Sequence, residues 1–308
     1  MKTDTEPVTA VAKTRKRLTS RTASVVALVI ALLWTTPTIG LLITSLRPKE
    51  DIDDTGWWTI FTNPSFTVDN YNEVLYGANS SGRLASAFVN SLVITIPSVL
   101  FPIAFAALAA YALSWISFKG RDWVFVGIFA LQVVPLQMAL VPMLSFFSEG
   151  VSVGGVTLLP EWGLTGEWQY IQVWFAHTAF GLPLAVFLLH NFMSELPGSI
   201  IESARVDGAS HGAIFRRIVL PLITPALASL AIFQFLWVWN DLLVALIFAS
   251  GPTTKPLTAK LADMVGTHGT AWELLTAGAF ISIIVPIVVF LCLQRYFVRG
   301  LLAGSVKG

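Results

Sequence analysis

The sequence predicts an all-α polytopic membrane protein with six transmembrane helices, and three observations carry that prediction. Of the 308 residues, 55% are hydrophobic and only 12% are charged, with a mean hydropathy of +0.72; a soluble domain needs far more charge to cover its surface. Six apolar runs reach the length of about 18 residues that crosses roughly 30 Å of hydrocarbon as helix. The basic residues fall unevenly between alternate connecting segments, which is how orientation is written into a membrane chain.

Residues 1–22 are a polar tail whose basic end suits anionic headgroups, and they are read as a solvated spacer. The first run, Ala23 to Leu46, exceeds a secretory h-region and is followed by SLRPKED rather than by small residues, so it is expected to be retained. The second, Leu84 to Phe118, carries Pro97 and Pro102, which permit a kink. Trp123 to Phe147, Tyr170 to Met193, Leu222 to Ser250 and Leu274 to Leu293 complete the set, giving a six-helix domain over 23–299 and a tail over 300–308.

With the N-terminus inside, one face of the bilayer collects Lys2, Lys13, Arg15, Lys16, Arg17, Arg21, Lys119, Arg121, Arg205, Arg216, Arg217, Arg295, Arg299 and Lys307. The other keeps only Arg47, Lys49, Arg83, Lys255 and Lys260. Both termini are therefore expected in the cytoplasm. The outer loops are rich in Trp, Asp and Gly, and Trp57, Trp58, Trp162 and Trp168 read as interfacial anchors or as a surface for an external partner.

Little in the chain is suited to covalent chemistry. Its single cysteine, Cys292, lies in an apolar run, so no internal disulfide is possible. There is no Walker A pattern, nucleophile elbow or His-Glu-x-x-His, and His177, His190, His211 and His268 are scattered. Neither a metal site nor a cofactor held by this chain is expected, and a formal net charge of +1 gives no reason to expect nucleic acid.

The exception to the apolar pattern is residues 195–221, the largest inside loop. Ser199 with Glu202 three residues on has capping-box spacing, which predicts a helix start. Ile200, Ile201, Ala204, Val206 and Ala209 form one apolar stripe, Gly208 allows a bend, and Ile214, Phe215, Ile218 and Val219 form a second. Pro221 suits the first turn of the next span. Two short helices meeting at a glycine are expected to present an apolar ridge to a partner's groove.

Glu202-Ser203-Ala204, three residues, Gly208, nine residues, then Ile218-Val219-Leu220-Pro221 resembles the EAA loop of bacterial ABC importer permeases, with Ser203 where that family usually has alanine. The end of the chain, Gln294 to Gly308, together with Asn90-Ser91 and Trp239-Asn240-Asp241, is similar to the G-type permease subunit of maltose-type carbohydrate importers. The resemblance implies the ABC importer permease fold in the bacterial inner membrane. It also implies a heteromeric complex with an F-type sister permease, two ATPase subunits that bind MgATP, and an extracytoplasmic sugar-binding protein. On this resemblance the ATPase-coupling residues are Glu202, Ser203, Ala204, Asp207, Gly208, Ala209, Ile218, Leu220 and Pro221. The tail Gly304, Ser305, Val306, Lys307 and Gly308 would insert along the ATPase dimer interface. Arg216 and Arg217 either pair with ATPase acids or anchor headgroups. Residues 251–273 are similar to the loop that reaches into the binding protein's cleft, or are an exposed connector.

For the pathway, Gln132 and Gln137 lie beside Pro135 and Pro142 at lipid depth, where they either meet sugar hydroxyls or join neighbouring helices. Asp241 is the one acid inside a span; on a continuous helix at about 1.5 Å per residue it would lie some 30 Å from Pro221, near the outer surface. Asn240 and Asp241 are accordingly expected to form an outer gate or a partner contact. The function implied is the permease subunit of an ATP-driven importer of an oligosaccharide or α-glucoside such as maltose or trehalose, itself without catalysis. The competing reading, an ion-coupled secondary transporter acting alone, would want carboxylates near the midplane and an inverted repeat.

Overall fold

The computed structural model describes residues 21–77, 84–163, 165–267 and 271–303. The tail residues Gly304 to Gly308 and His268 lie outside them. Four helices are long and apolar enough to cross a membrane, and two bent helix pairs bring the number of spans to six when each pair counts as one.

The described residues fall into two units. In the first, α1 (Arg21–Ser45) leads into α2 (Lys49–Asp54), a 3₁₀ turn at Trp57–Phe61 and α3 (Asp69–Tyr76). Arg47 organises this segment. Its guanidinium is buried and donates to Gly56 O, Asp51 O, Thr55 Oγ1 and Thr59 Oγ1 at 2.7–3.2 Å. Asn70 donates to Ser45 O and Arg47 O, closing the loop onto the end of α1. Trp57 lies against Gly40, where a Cβ would sit 2.8 Å from its indole nitrogen, so it packs on the helix, whereas Trp58 is exposed.

In the second unit the principal pair is α4 (Leu84–Trp115) against α7 (Gln169–Ser194). Ala106, Ala107 and Ala110 are buried on α4, and small side chains are what let membrane helices approach closely. The third predicted span is not one helix. It comprises α5 (Arg121–Ala130), continued by a 3₁₀ turn to Val133, and α6 (Leu136–Glu149), bent by 102°. Pro135 supplies the reason: it offers no N–H to continue the helix and forces Val134 into an extended conformation (φ −70°, ψ 119°). After α6 the chain departs from the all-α expectation. Strands β1 (Val151–Val153) and β2 (Val156–Leu159) pair antiparallel around Gly154-Gly155, whose φ values of 58° and 81° suit a two-residue hairpin turn.

The fifth predicted span also breaks. Residues 198–222 form α8 (Gly198–Val206), α9 (His211–Ile214), a π-type turn over Phe215–Val219 and α10 (Leu220–Leu222). This leads through a 72° bend into α11 (Thr224–Trp239), which ends at Asn240, and α12 (Leu243–Phe248) follows. Next comes α13 (Leu257–Thr267). The last helix, α14 (Trp272–Ala303), runs ten residues beyond the predicted end of the sixth span, so the first residues of the expected 300–308 tail, Gly300 to Ala303, are helical.

Candidate functional site

The 198–222 hairpin keeps its predicted joint but not its predicted start. Pro197, with φ −60° and its carbonyl accepting Ile200 N–H at 3.1 Å, caps α8 two residues before the expected Ser199. Ser199 is consequently inside the first turn, no side chain caps that end, and the capping box with Glu202 is absent. The side-chain cap sits instead on α9, where Ser210 Oγ accepts Ala213 N–H at 3.4 Å. At the joint Gly208 adopts φ 78°; its N–H bonds Arg205 O and the N–H of Ala209 bonds Ala204 O, a six-residue closure typical of a helix ending on a left-handed glycine.

The apolar stripes turn the other way from the ridge expected. Ile201, Ala204, Ile214 and Val219 are buried in one cluster with Ala110, Tyr111 and Leu113 of α4 and Leu189 and Met193 of α7. Ala209 and Ile218 pack against the same cluster. What the hairpin leaves outward is Glu202, Ser203, Asp207, Gly208, Arg216, Arg217 and Pro221, with Val206 as an apolar knob 87% exposed. A segment tethered at both ends to apolar helices buries its hydrophobes against those helices first. The outward face is mainly polar, with Val206 its most exposed apolar side chain beside Ile200 and Leu222, and among the described residues nothing lies within 4 Å of a Cβ added at Gly208.

At the opposite end of α4 a polar cluster ties down residues 251–258. Asn90 Nδ2 donates to Thr253 O at 2.7 Å and Lys255 O at 2.9 Å, while Asn90 Oδ1 accepts from Tyr170 OH at 2.8 Å. Ser91 Oγ accepts Leu257 N–H, and Gln169 Oε1 accepts from Gly251 N–H and Thr254 Oγ1. Thr258 Oγ1 donates to Asp241 O. The side chain of Asp241 is largely covered. The chain breaks at Asn240, the Asp241 carboxylate turns inward, accepts Ala245 N–H at 3.1 Å at the start of α12, and lies 3.8 Å from the buried His177 Nε2. Asn240 stays exposed and donates to Leu236 O. Asp241→Ala should therefore lower thermal stability by about 1 kcal/mol, the worth of a capping side chain, whereas Asp241→Asn, which keeps an acceptor, should transport as the parent does; thermal unfolding and uptake of the two variants test this.

The bend between α5 and α6 opens a cavity of about 860 Å³ lined by α6, α7 and α11. Its walls are apolar apart from Gln132 and Gln234, with Phe180 and Trp237 among the aromatic lining residues. Gln234 is buried, donates to Ser98 O at 3.3 Å and fits only because Gly181 opposite has no side chain. Gln137 lies outside the lining, exposed on α6. Gln234 is thus the polar residue of the cavity that the sequence left among weak candidates; a lone amide in an apolar span was its signal.

Residues 102–302 match the family described as the inner membrane component of binding-protein-dependent transport systems. The chain belongs to that family. It is accordingly a multi-pass inner-membrane permease, a transport component rather than an ATPase, and the ion-coupled alternative falls away. An osmoprotective compounds uptake permease protein of Synechocystis is 50% identical over 91% of this permease and 90% of its own length. An alpha-glucoside transport system permease protein of Rhizobium meliloti is 52% identical over 82% of this chain, which spans 63% of that longer protein. A trehalose/maltose transport system permease protein of Thermococcus litoralis is 30% identical over 92% of the chain and 95% of its own length. The fold is shared with a chain of a bacterial ABC transporter that imports alginate, at a TM-score of 0.66 and 20% identity, covering 94% of this permease and 99% of that chain.

Proposed function

We propose that the permease carries an α-glucoside or a maltose- or trehalose-like oligosaccharide, driven by an ATPase that grips the outward face of the 198–222 hairpin. That face carries the reading: a charged, glycine-jointed surface on a hairpin whose other face is sealed into α4 and α7, so whatever docks there moves the bundle. Glu202, Asp207 and the open space at Gly208 receive the ATPase, and Val206 seats in its groove. The partners are an F-type sister permease, two ATPase subunits holding MgATP, and an extracytoplasmic sugar-binding protein. The distribution of Lys and Arg supports cytoplasmic termini and a cytoplasmic hairpin.

The cavity at the α5–α6 bend is this subunit's wall of the path, where Gln132 and Gln234 offer amides to hydroxyls and Trp237 offers an apolar face. Support for the cargo comes from relatives named for alpha-glucosides and for trehalose and maltose. A second reading, uptake of an osmoprotective solute, is favoured by the Synechocystis relative at 50% identity.

Crosslinking tests the docking. A cysteine at Val206 in the assembled importer is expected to crosslink to the ATPase, and uptake of labelled trehalose or maltose should depend on ATP and on the binding protein. Absence of any ATPase adduct from Val206→Cys would refute the docking. Transport of an osmoprotectant without competition by α-glucosides would favour the second cargo.

A further inference from the structure

The hairpin continues in sequence into α11 through a joint that is bent but bridged by hydrogen bonds, from Ile223 N–H to Val219 O and from Leu227 N–H to Ile223 O. Between the two stand the π-type turn of Phe215–Val219, Pro221 and Pro225, which lack N–H donors, and a 72° bend at Ile223. Wide turns and helix-starting prolines mark where a helix changes direction. The hairpin is also held sideways, to the end of α4. Tyr111 OH and His211 Nδ1 share a hydrogen bond of 3.0 Å, and the Tyr111 ring meets His211 and Phe215 edge to face at 6.0 and 5.3 Å. One turn on, Arg205 Nη2 donates at 3.0 Å to Trp115 O, a carbonyl at the end of α4 that has no partner within the helix. Tyr111 and Trp115 are four residues apart and so share one face of α4. Tyr111 is 5% exposed, and its hydroxyl is the one polar group that the buried cluster of α4, α7 and the hairpin turns toward α9.

From this arrangement we infer that Tyr111 and His211 are positioning residues that latch the hairpin to α4, so that ATPase motion enters the bundle directly through α4 and its partner α7 as well as along the chain into α11. The inference rests on the hairpin being the ATPase dock. Apolar packing alone holds the two surfaces together but lets them slide; a directional hydrogen bond at the rim fixes their register. Without it the ATPase can close and hydrolyse while part of its stroke is lost in slippage.

Tyr111→Phe removes only the hydroxyl and keeps the ring, its edge contacts and its burial. In the full importer, reconstituted with sister permease, ATPase and binding protein, the quantity to measure is ATP hydrolysed per solute delivered. Tyr111→Phe and His211→Ala are each expected to raise that ratio about fivefold, the factor corresponding to one lost hydrogen bond, with assembly unchanged and the melting temperature lowered by no more than about 4 °C. The double variant should be no worse than the more affected single one, because both delete the same contact. His211→Asn, whose amide places a polar atom at the position of Nδ1, should recover most of the coupling. A parental ratio in Tyr111→Phe, with Val206→Cys still crosslinking to the ATPase, overturns the latch alone; failure of that crosslink overturns the docking reading and the latch with it.

Discussion

Gly208→Asp is expected to abolish uptake while leaving the permease in the membrane at its normal level. Two separate effects have to be weighed. Gly208 holds φ 78°, a conformation that costs a residue with a Cβ about 1–2 kcal/mol and costs Asp, with its local hydrogen bonding, toward the lower end. The hairpin is buried against α4 and α7 through Ile201, Ala204, Ile214 and Val219, none of which the substitution touches. Among the described residues nothing lies within 4 Å of the added Cβ, so the fold tolerates the side chain sterically. The carboxylate would instead project into the space assigned to the ATPase, beside Asp207. A central interface position is worth 2 kcal/mol or more, which weakens ATPase association roughly 30-fold. Co-purification of the ATPase should fall in step with uptake. Gly208→Asn, which tolerates the same backbone without the charge, should retain more of both. Normal uptake by an assembled Gly208→Asp importer would remove Gly208 from the docking surface.

Asn90→Ala is expected to produce the largest loss of local stability. One side chain supplies two donors to the carbonyls of Thr253 and Lys255 and one acceptor to Tyr170 OH, and all three partners are left without it. A polar group stripped of its partner costs about 1–3 kcal/mol when buried and less where water reaches it, as at the exposed Thr253, so the segment 251–258 should be destabilised by roughly 2–3 kcal/mol. Ser91 and Gln169 still hold that segment at two further points, so the effect should be local opening rather than global unfolding. Hydrogen exchange of residues 251–258 should quicken strongly, while α4 and α7 keep their protection. Asn90→Asp should be at least as harmful, since a carboxylate turns acceptors toward two carbonyl oxygens. Unchanged exchange in Asn90→Ala would show that Ser91 and Gln169 alone secure the loop.

The residues that misled a reading of the sequence did so for identifiable reasons. Ser199 and Glu202 have capping-box spacing, but Pro197 starts the helix first and makes the cap unnecessary. The stripe Ile201, Ala204, Ile214 and Val219 is legible as apolar; which way it faces is not, because periodicity gives a face without naming its neighbour. Asp241 was placed by counting residues along a helix that ends at Asn240, and its inward turn depends on the backbone of α12 and on His177. Gln132 and Gln137 read alike in sequence, yet the 102° bend puts only the first on the cavity and brings Gln234 from another helix opposite Gly181.

The amino-acid sequence by itself determined the membrane class, the apolar runs that make up as many as six spans, and the EAA-like hairpin with the glycine that joins it, since each depends on local composition or on the stereochemistry of single residues; of the prolines it marked, Pro135 breaks a helix while Pro97, Pro102 and Pro142 lie inside continuous ones. Tertiary structure decided which face of the hairpin is free, how α4 and α7 receive it through Tyr111 and Arg205, and which polar residues meet at the cavity and around Asn90. Those outcomes depend on contacts between residues some 80 to 165 positions apart, and no local propensity encodes which of many apolar helices will be the neighbour.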